Sequence, residues 1–157
     1  MKTGHAGLDV ARPGGEAHRF PLRVYYEDTD AAGIVYYANY LRFAERARTE
    51  LVRSLGFEQE KLRRERGMVF AVRRCYADYR APAYLDDALV VETLLTRLGG
   101  ASIGLDQRVR RGDQELVRLD VDIVCLTAAG RPARLPREIA DAFSSFSRHL
   151  SQQSSPG

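Results

Sequence analysis

The sequence predicts an α+β domain in which one long amphipathic helix packs on a five-stranded antiparallel sheet. Three observations carry this. A single alternating run near the N-terminus precedes one stretch of helical spacing, Leu41 to Leu55. Four strand-like runs follow, joined by tight turns. Consecutive strands on such turns are antiparallel, and a helix with an apolar stripe buries it against a sheet face.

Phe20, Leu22, Val24 and Tyr26 alternate with Arg19, Pro21, Arg23 and Tyr25, as in a half-buried strand. Glu27–Ala38 has no simple period and contains Gly33. Asn39 is a residue type that caps helices. The apolar positions Leu41, Ala44, Ala47 or Arg48, Leu51, Val52 and Leu55 then recur at helical spacing up to Gly56, a natural C-terminal stop. On the rest of that helix, Glu45 reads as a surface ion-pair partner of Arg48 or Arg42. A polar helical piece, Glu58 to Glu65, ends at Gly67. The strands run Met68 to Tyr79, Ala88 to Leu98, Ser102 to Arg110 and Glu115 to Leu126. Between them lie Ala81-Pro82-Ala83 with Asp86-Asp87, then Gly99-Gly100, then Gly112-Asp113. Pro136 suits the start of a short terminal helix, and Ser144 to Gly157 fades into a Ser/Gln-rich tail. The expected organisation is a disordered tail over 1–17, one domain over 18–146 and a disordered tail over 147–157.

The 24 basic and 21 acidic residues give a charge of +3 and are interspersed, which excludes a nucleic-acid binder as the leading reading. No apolar run approaches the ~20 residues of a membrane span, and the N-terminus has no apolar core of a signal peptide. The two cysteines, Cys75 and Cys125, fall in strands without metal spacing, so a cytoplasmic location is expected. His5, His18 and His149 lie near the chain ends. Ser-His and Cys-His catalysis therefore lack a base in the expected core, and no metal site is expected. Chemistry would fall to carboxylates, tyrosines, arginines and backbone groups. Glu27, Asp28 and Asp30 stand among tyrosines just before the long helix, where an anion can be held. On residue type alone, Asp30 reads as an Asx turn or helix cap, and Glu27 and Asp28 as turn-forming or solvated acids.

The segment Asp28-Thr29-Asp30-Ala31-Ala32-Gly33-Ile34-Val35-Tyr36-Tyr37-Ala38-Asn39-Tyr40-Leu41-Arg42-Phe43 resembles the signature of the hotdog-fold acyl-CoA thioesterases. It is most similar to the YbgC type associated with the Tol-Pal envelope system, and also to the 4-hydroxybenzoyl-CoA type. Ala44-Glu45-Arg46-Ala47-Arg48-Thr49-Glu50 and Ala77-Asp78-Tyr79-Arg80-Ala81-Pro82-Ala83 continue the pattern. The resemblance covers roughly Arg19 to Ala142. It implies the hotdog fold, a five-stranded antiparallel sheet wrapped around one long helix. It also implies a homodimer or a tetramer of dimers, with active sites at the dimer interface.

The same resemblance implies hydrolysis of an acyl-CoA thioester to free acid and coenzyme A. No resident cofactor is implied, since coenzyme A belongs to the substrate; an acyl carrier protein is the other candidate thiol carrier. Asp30 matches the catalytic aspartate, as general base or nucleophile. The Tyr37 N–H would polarise the carbonyl, with Gly33 shaping the turn. Ile34, Val35, Tyr36, Asn39 and Tyr40 would contact substrate, and Arg73, Arg74 and Arg80 would meet its phosphates. Many YbgC-type enzymes carry histidine where this chain has Tyr37; a backbone role survives that change. The expected location is cytoplasmic or peripheral at the inner membrane. A competing reading is a non-catalytic acyl-CoA or acyl-carrier-protein binding module on the same fold. A hotdog dehydratase is disfavoured by the lack of a core histidine.

Overall fold

A computed structural model describes the backbone of residues 17–154 and side chains through residue 147. The expected N-terminal tail lies outside the described residues except Ala17. The first alternating run builds β1, His18–Arg23. It stops short of Tyr26 because the chain turns instead into a single 3₁₀ turn at Tyr26–Asp28.

The long helix is α1, Asn39–Ser54. Its buried residues Tyr40, Phe43, Ala44, Ala47 and Leu51 recur at three- and four-residue steps, one stripe on one face. Ala38, not Asn39, holds the N-cap position, with no side-chain cap bond. Asn39 is inside the helix and spends its side chain elsewhere. Phe43 is buried, so its truncation to alanine would cost roughly 3–5 kcal/mol. The polar helix α2, Gln59–Arg66, closes on Gly67, whose φ of 60° is the left-handed cap conformation that glycine adopts without strain.

The remaining strands are β2 (Met68–Tyr79), β3 (Ala88–Leu98), β4 (Ser102–Arg111) and β5 (Gln114–Thr127). They form one five-stranded sheet in the order β1-β3-β4-β5-β2, and every neighbouring pair is antiparallel. α1 lies across the inner face against β1, β3 and β4. This is the hotdog arrangement expected above.

α3, Arg137–Ser154, corrects the expected short terminal helix and its fading tail. Buried Ile139 and Phe143, with half-buried Phe146, continue an apolar stripe past Ser144. That stripe lies on β3. Helix thus occupies most of the 147–157 stretch expected to be disordered; residues 155–157 lie outside the described residues.

The sheet's outer face carries a lattice of ion pairs. Arg19 pairs with Glu92 at 3.6 Å, and Arg110 also binds Glu92. Arg108 and Arg118 each reach Asp106 at 3.2 Å. Arg80 reaches Glu115 at 2.6 Å. Among the described residues, no helix is long and apolar enough to cross a membrane.

Candidate active site

The segment between β1 and α1 is held by its own polar groups. Asp28 is 8% exposed, and its Oδ2 accepts from the Tyr25 N–H at 2.8 Å. The Asp28 carbonyl accepts from the Tyr36 N–H at 3.0 Å and from Asn39 Nδ2 at 2.8 Å. One acid and one amide therefore tie the start of the segment to the start of α1. Asp28 is a turn-forming acid, and burial rules out the solvated alternative. Exposed Glu27 makes no such bond among the described residues.

Between these ties stands a tight turn. The Asp30 N–H donates to the Ile34 carbonyl at 2.9 Å, and the Gly33 N–H donates to the Asp30 carbonyl at 3.0 Å. Gly33 has φ of 79°, a conformation that strains any residue with a Cβ. Asp30 Oδ1 accepts from the Ala32 N–H at 2.9 Å, an Asx turn. So the plain structural role of Asp30 is real, and it uses one carboxylate oxygen. The other makes no hydrogen bond among the described residues, and the side chain is exposed.

At the helix start, the Tyr36 and Asn39 N–H groups are paired, the second to the Tyr36 carbonyl at 2.8 Å. The Tyr37 and Ala38 N–H groups make no hydrogen bond among the described residues. They lie just before α1, at the end that carries the positive part of the helix dipole. Tyr37 is 61% exposed, and its carbonyl accepts from Tyr79 Oη at 3.2 Å.

A tyrosine cluster walls the site. The Tyr36 and Tyr37 rings are 4.9 Å apart, and Tyr79 meets Tyr37 edge-on at 6.0 Å. The Tyr36 phenol is pushed above its ordinary pKa, first by the adjoining Tyr37 phenol, then by partial desolvation and the Asp30 carboxylate. Charge on Asp30 is therefore felt at Tyr36. Burial, the largest cause, also raises Tyr79 and Tyr40.

The sequence-predicted residues thus divide. Asp30, Gly33, Tyr36 and Tyr37 share one open surface, with half-buried Ile34 beside them bridged to Tyr84. Val35, Asn39 and Tyr40 are buried and support the turn from below. Tyr40, 3% exposed, accepts the Ala83 N–H on its Oη at 3.0 Å, and the Val35 N–H binds the Ala83 carbonyl at 2.9 Å. Position 83 thus clamps both sides of the turn.

The arginines lie apart from that surface. Arg80 is held on the outer face between Asp78 and Glu115. Arg73 and Arg74 line an outer-face hollow with Tyr76, Arg97 and Asp122. Arg73 sits 3.1 Å from Asp122, which also takes Arg97. Arg74 forms no ion pair among the described residues. The sequence reading missed Arg97, Tyr79 and Ala83 as site neighbours. Their placement follows from strand pairing and bulges at Val72/Arg74 and Leu95/Arg97, which no local period announces. Glu45 forms no ion pair with Arg48 or Arg42 among the described residues. It lines an inner cavity instead.

Comparison with known proteins agrees with this architecture. The model of the thioesterase-like superfamily matches residues 24–143. The chain is 45% identical to the acyl-CoA thioesterase YbgC of Haemophilus influenzae over 125 residues, 79% of this chain and 92% of the relative. It is 43% identical to the acyl-CoA thioester hydrolase YbgC of Escherichia coli over 127 residues, 80% of this chain and 94% of the relative. The crystal structure of a probable thioesterase from Bartonella henselae superposes with a TM-score of 0.74 at 38% identity, covering 76% of this chain and 99% of that one. A hotdog sheet around α1, a signature turn at its N-terminus and similarity across nearly the whole length of these relatives place the chain in the thioesterase-like superfamily, among the YbgC-type acyl-CoA thioesterases.

Proposed function

We propose that the protein hydrolyses acyl-coenzyme A thioesters, with Asp30 as the reactive carboxylate and the Tyr37 N–H as the oxyanion donor. The observation that carries this reading is one juxtaposition. A carboxylate fixed by an Asx turn leaves one oxygen free, and the unpaired amides that lead into α1 begin seven residues later.

In the step proposed, Asp30 takes a proton from water as the water oxygen bonds to the thioester carbon. The carbonyl oxygen gains negative charge and is held by the Tyr37 N–H at the positive end of α1. Collapse of the tetrahedral intermediate breaks the C–S bond. The sulfur leaves as thiolate and receives the proton from Asp30, giving free acid and coenzyme A. Direct attack by Asp30, giving a mixed anhydride that water then cleaves, uses the same groups. Asp28 is the positioning acid: it is buried, and one of its oxygens holds the Tyr25 N–H.

Coenzyme A phosphates are assigned to the outer-face hollow, where Arg74 makes no ion pair among the described residues, Arg73 and Arg97 flank it, and Asp120 and Asp122 share the lining. Arg80 is neutralised by its own carboxylates and is the weaker candidate. β2 ends the sheet, and its inner-face residues Val72 and Tyr79 are exposed, Tyr79 beside Tyr37. An edge strand of this kind favours pairing with a second copy, so a homodimer is part of the proposal.

A panel of acyl-CoAs with a free-thiol readout tests the reading. Wild-type protein should release coenzyme A. Asp30→Asn should lose about 10²- to 10⁴-fold in kcat, the range for a positioned acid–base group. Release by Asp30→Asn at the wild-type rate would show that the carboxylate is not the reactive group. Binding without any turnover by the wild type would favour the non-catalytic module.

A further inference from the structure

The C-terminal end of β2 meets the start of α1 through one bond that the hydrolysis described above leaves unused. Tyr79, the last residue of β2, donates its phenol O–H to the Tyr37 carbonyl at 3.2 Å. In a regular helix the N–H four residues on would take that carbonyl. Here the Leu41 N–H binds the Ala38 carbonyl instead, at 3.2 Å, and no backbone N–H reaches the Tyr37 carbonyl among the described residues. The Tyr79 ring meets Tyr37 edge-on at 6.0 Å and Tyr40 at 5.7 Å. The strand end is itself fixed, since the Arg80 and Ala81 N–H groups both bind the Leu116 carbonyl, at 2.8 and 3.1 Å. A phenol on a held strand thus supplies a bond that the helix lacks.

The Tyr37 carbonyl belongs to the same peptide unit as the Ala38 N–H. A hydrogen bond accepted at the oxygen of a peptide polarises the unit and makes its N–H a stronger donor, by roughly 10–30% per bond. The Ala38 N–H is unpaired among the described residues and adjoins the unpaired Tyr37 N–H. The peptide that carries the Tyr37 N–H is arranged alike: its carbonyl, on Tyr36, accepts the Asn39 N–H at 2.8 Å. That bond closes a four-residue turn, and Ala38 at its third position has φ of −69° and ψ of −20°, which makes the turn helical in sense. The N–H groups of such a turn point one way, off the start of α1. Two successive peptides therefore have bonded carbonyls and open N–H groups, one polarised by the backbone and the other by Tyr79.

We propose that Tyr79 is a positioning residue for the hydrolysis, acting through the Tyr37–Ala38 peptide, whose N–H is a second donor to the oxyanion. The proposal rests on the thioester-hydrolase reading. No proton leaves Tyr79. Its O–H holds the peptide in place and polarises it while negative charge forms on the thioester oxygen. Burial first, then the nearby Cys75 and Tyr37, raises the Tyr79 phenol above its ordinary pKa, so it remains a donor at neutral pH. Tyr79→Phe keeps the ring and its contacts and removes the O–H alone. Because Tyr79 is 43% exposed, water can take the vacated carbonyl, and folding is little disturbed. The role therefore shows in turnover rather than in stability.

The test uses the full chain and the acyl-CoA panel with its free-thiol readout. Tyr79→Phe should lose about tenfold in kcat, a fraction of the 10²- to 10³-fold that follows loss of a whole donor. Its KM should stay within about twofold of wild type and its melting curve should not move, the pattern of an interaction made in the transition state. Lactic acid incorporated at position 38 puts an ester oxygen where the Ala38 N–H stood. That N–H makes no bond in the fold, so the ester chain should fold and lose about 10²-fold in kcat. On the ester background Tyr79→Phe should cost less than about twofold more, because the group it acts through is gone. A wild-type kcat in Tyr79→Phe, a loss confined to KM, or a loss matched by lowered melting would overturn the assignment even if Asp30→Asn is inactive. So would a tenfold loss that persists in full on the ester background, or an ester chain that turns over like wild type. If wild-type protein releases no coenzyme A from any substrate, the hydrolase reading fails and the role of Tyr79 falls with it.

Discussion

The two faces of the sheet use charge in opposite ways. On the outer face, arginines meet carboxylates: Arg19 and Arg110 share Glu92, and Arg108 and Arg118 share Asp106. On the inner side, around α1, polar groups remain open. One Asp30 oxygen, the Tyr37 and Ala38 amides and most of the Arg48 donors have no partner among the described residues. Closed pairs on a solvated face contribute little individually and keep the sheet covered without a second layer. Open groups at an exposed helix start meet only solvent and are available to a ligand. Within one small domain, satisfied charge marks scaffold and unsatisfied charge marks chemistry.

The largest effect expected is at the helix start. Tyr37→Pro removes the N–H while Tyr37→Phe keeps it. The first should lose about 10²- to 10³-fold in kcat, the cost of one oxyanion donor. The second should stay within about threefold, because the proposed role belongs to the backbone. Equal loss in both would move the role to the phenol. Steady-state kinetics with a melting curve for each variant decides between them.

A second contrast concerns His18, a fully buried inner-face group with no outlet, which corrects the expectation of a core without histidine. It is 0% exposed, neither ring nitrogen has a hydrogen-bond partner among the described residues, and desolvation lowers its pKa from 6.5 to about 4. The unfolded chain therefore binds a proton between these values that the folded chain refuses. Stability contributed by the neutral ring is fully present above about pH 6.5 and falls as pH drops toward 4. Across that window the loss is on the order of 3 kcal/mol, since a tenfold change in proton concentration is worth about 1.4 kcal/mol. Denaturant titrations from pH 7 to 4 should show this slope in wild type and a flatter one in His18→Phe.

A smaller loss is expected for Gln107→Leu, which strips Arg48, Ala44 and Thr93 of their shared amide. A buried unmet group costs about 1–3 kcal/mol, read as a lower denaturant midpoint. The smallest is expected on the outer face. Arg118→Ala should cost no more than about 1 kcal/mol and leave turnover unchanged, as for other exposed ion pairs. A larger loss there would mean that the outer lattice is a cooperative network and would blur the contrast between the faces.

Much of this architecture is legible along the chain because its signals are local. The alternation around Phe20 and Leu22 and the helical stripe from Ala44 to Leu51 are periodicities of two and 3.6 residues, and both elements formed where those periods run. The boundaries moved where a side chain intervened. Asn39 looked like a cap but binds the Asp28 carbonyl, and the strand expected to reach Tyr26 gave way to the Asp28 turn. α3 outran its expected length because Phe143 and Phe146 extend its stripe through a Ser-rich composition. The signature turn was legible through resemblance, and its acids were then separated by burial: each spends one carboxylate oxygen on a backbone N–H, but Asp28 is buried and Asp30 is exposed. What was not legible is nonlocal. β2 lies at the far edge of the sheet from β1, and Arg48 meets Gln107 across 59 residues. No local period encodes which strands share a row, so the inner cavity and the Arg97 hollow were invisible to it.

Asp28 and Asp30 test the account most directly, since they stand two residues apart with opposite assignments. Parallel measurement of melting temperature and kcat on Asp28→Asn and Asp30→Asn separates them. Asp28→Asn should lower the melting temperature, because at this buried position it adds an NH2 group that has no acceptor provided for it. Asp30→Asn, at an exposed position, should melt close to wild type, since an asparagine oxygen can keep the Asx turn, while kcat falls at least about 100-fold. An Asp30→Asn protein that turns over like wild type, or one whose lost activity is matched by lost folding, would contradict it.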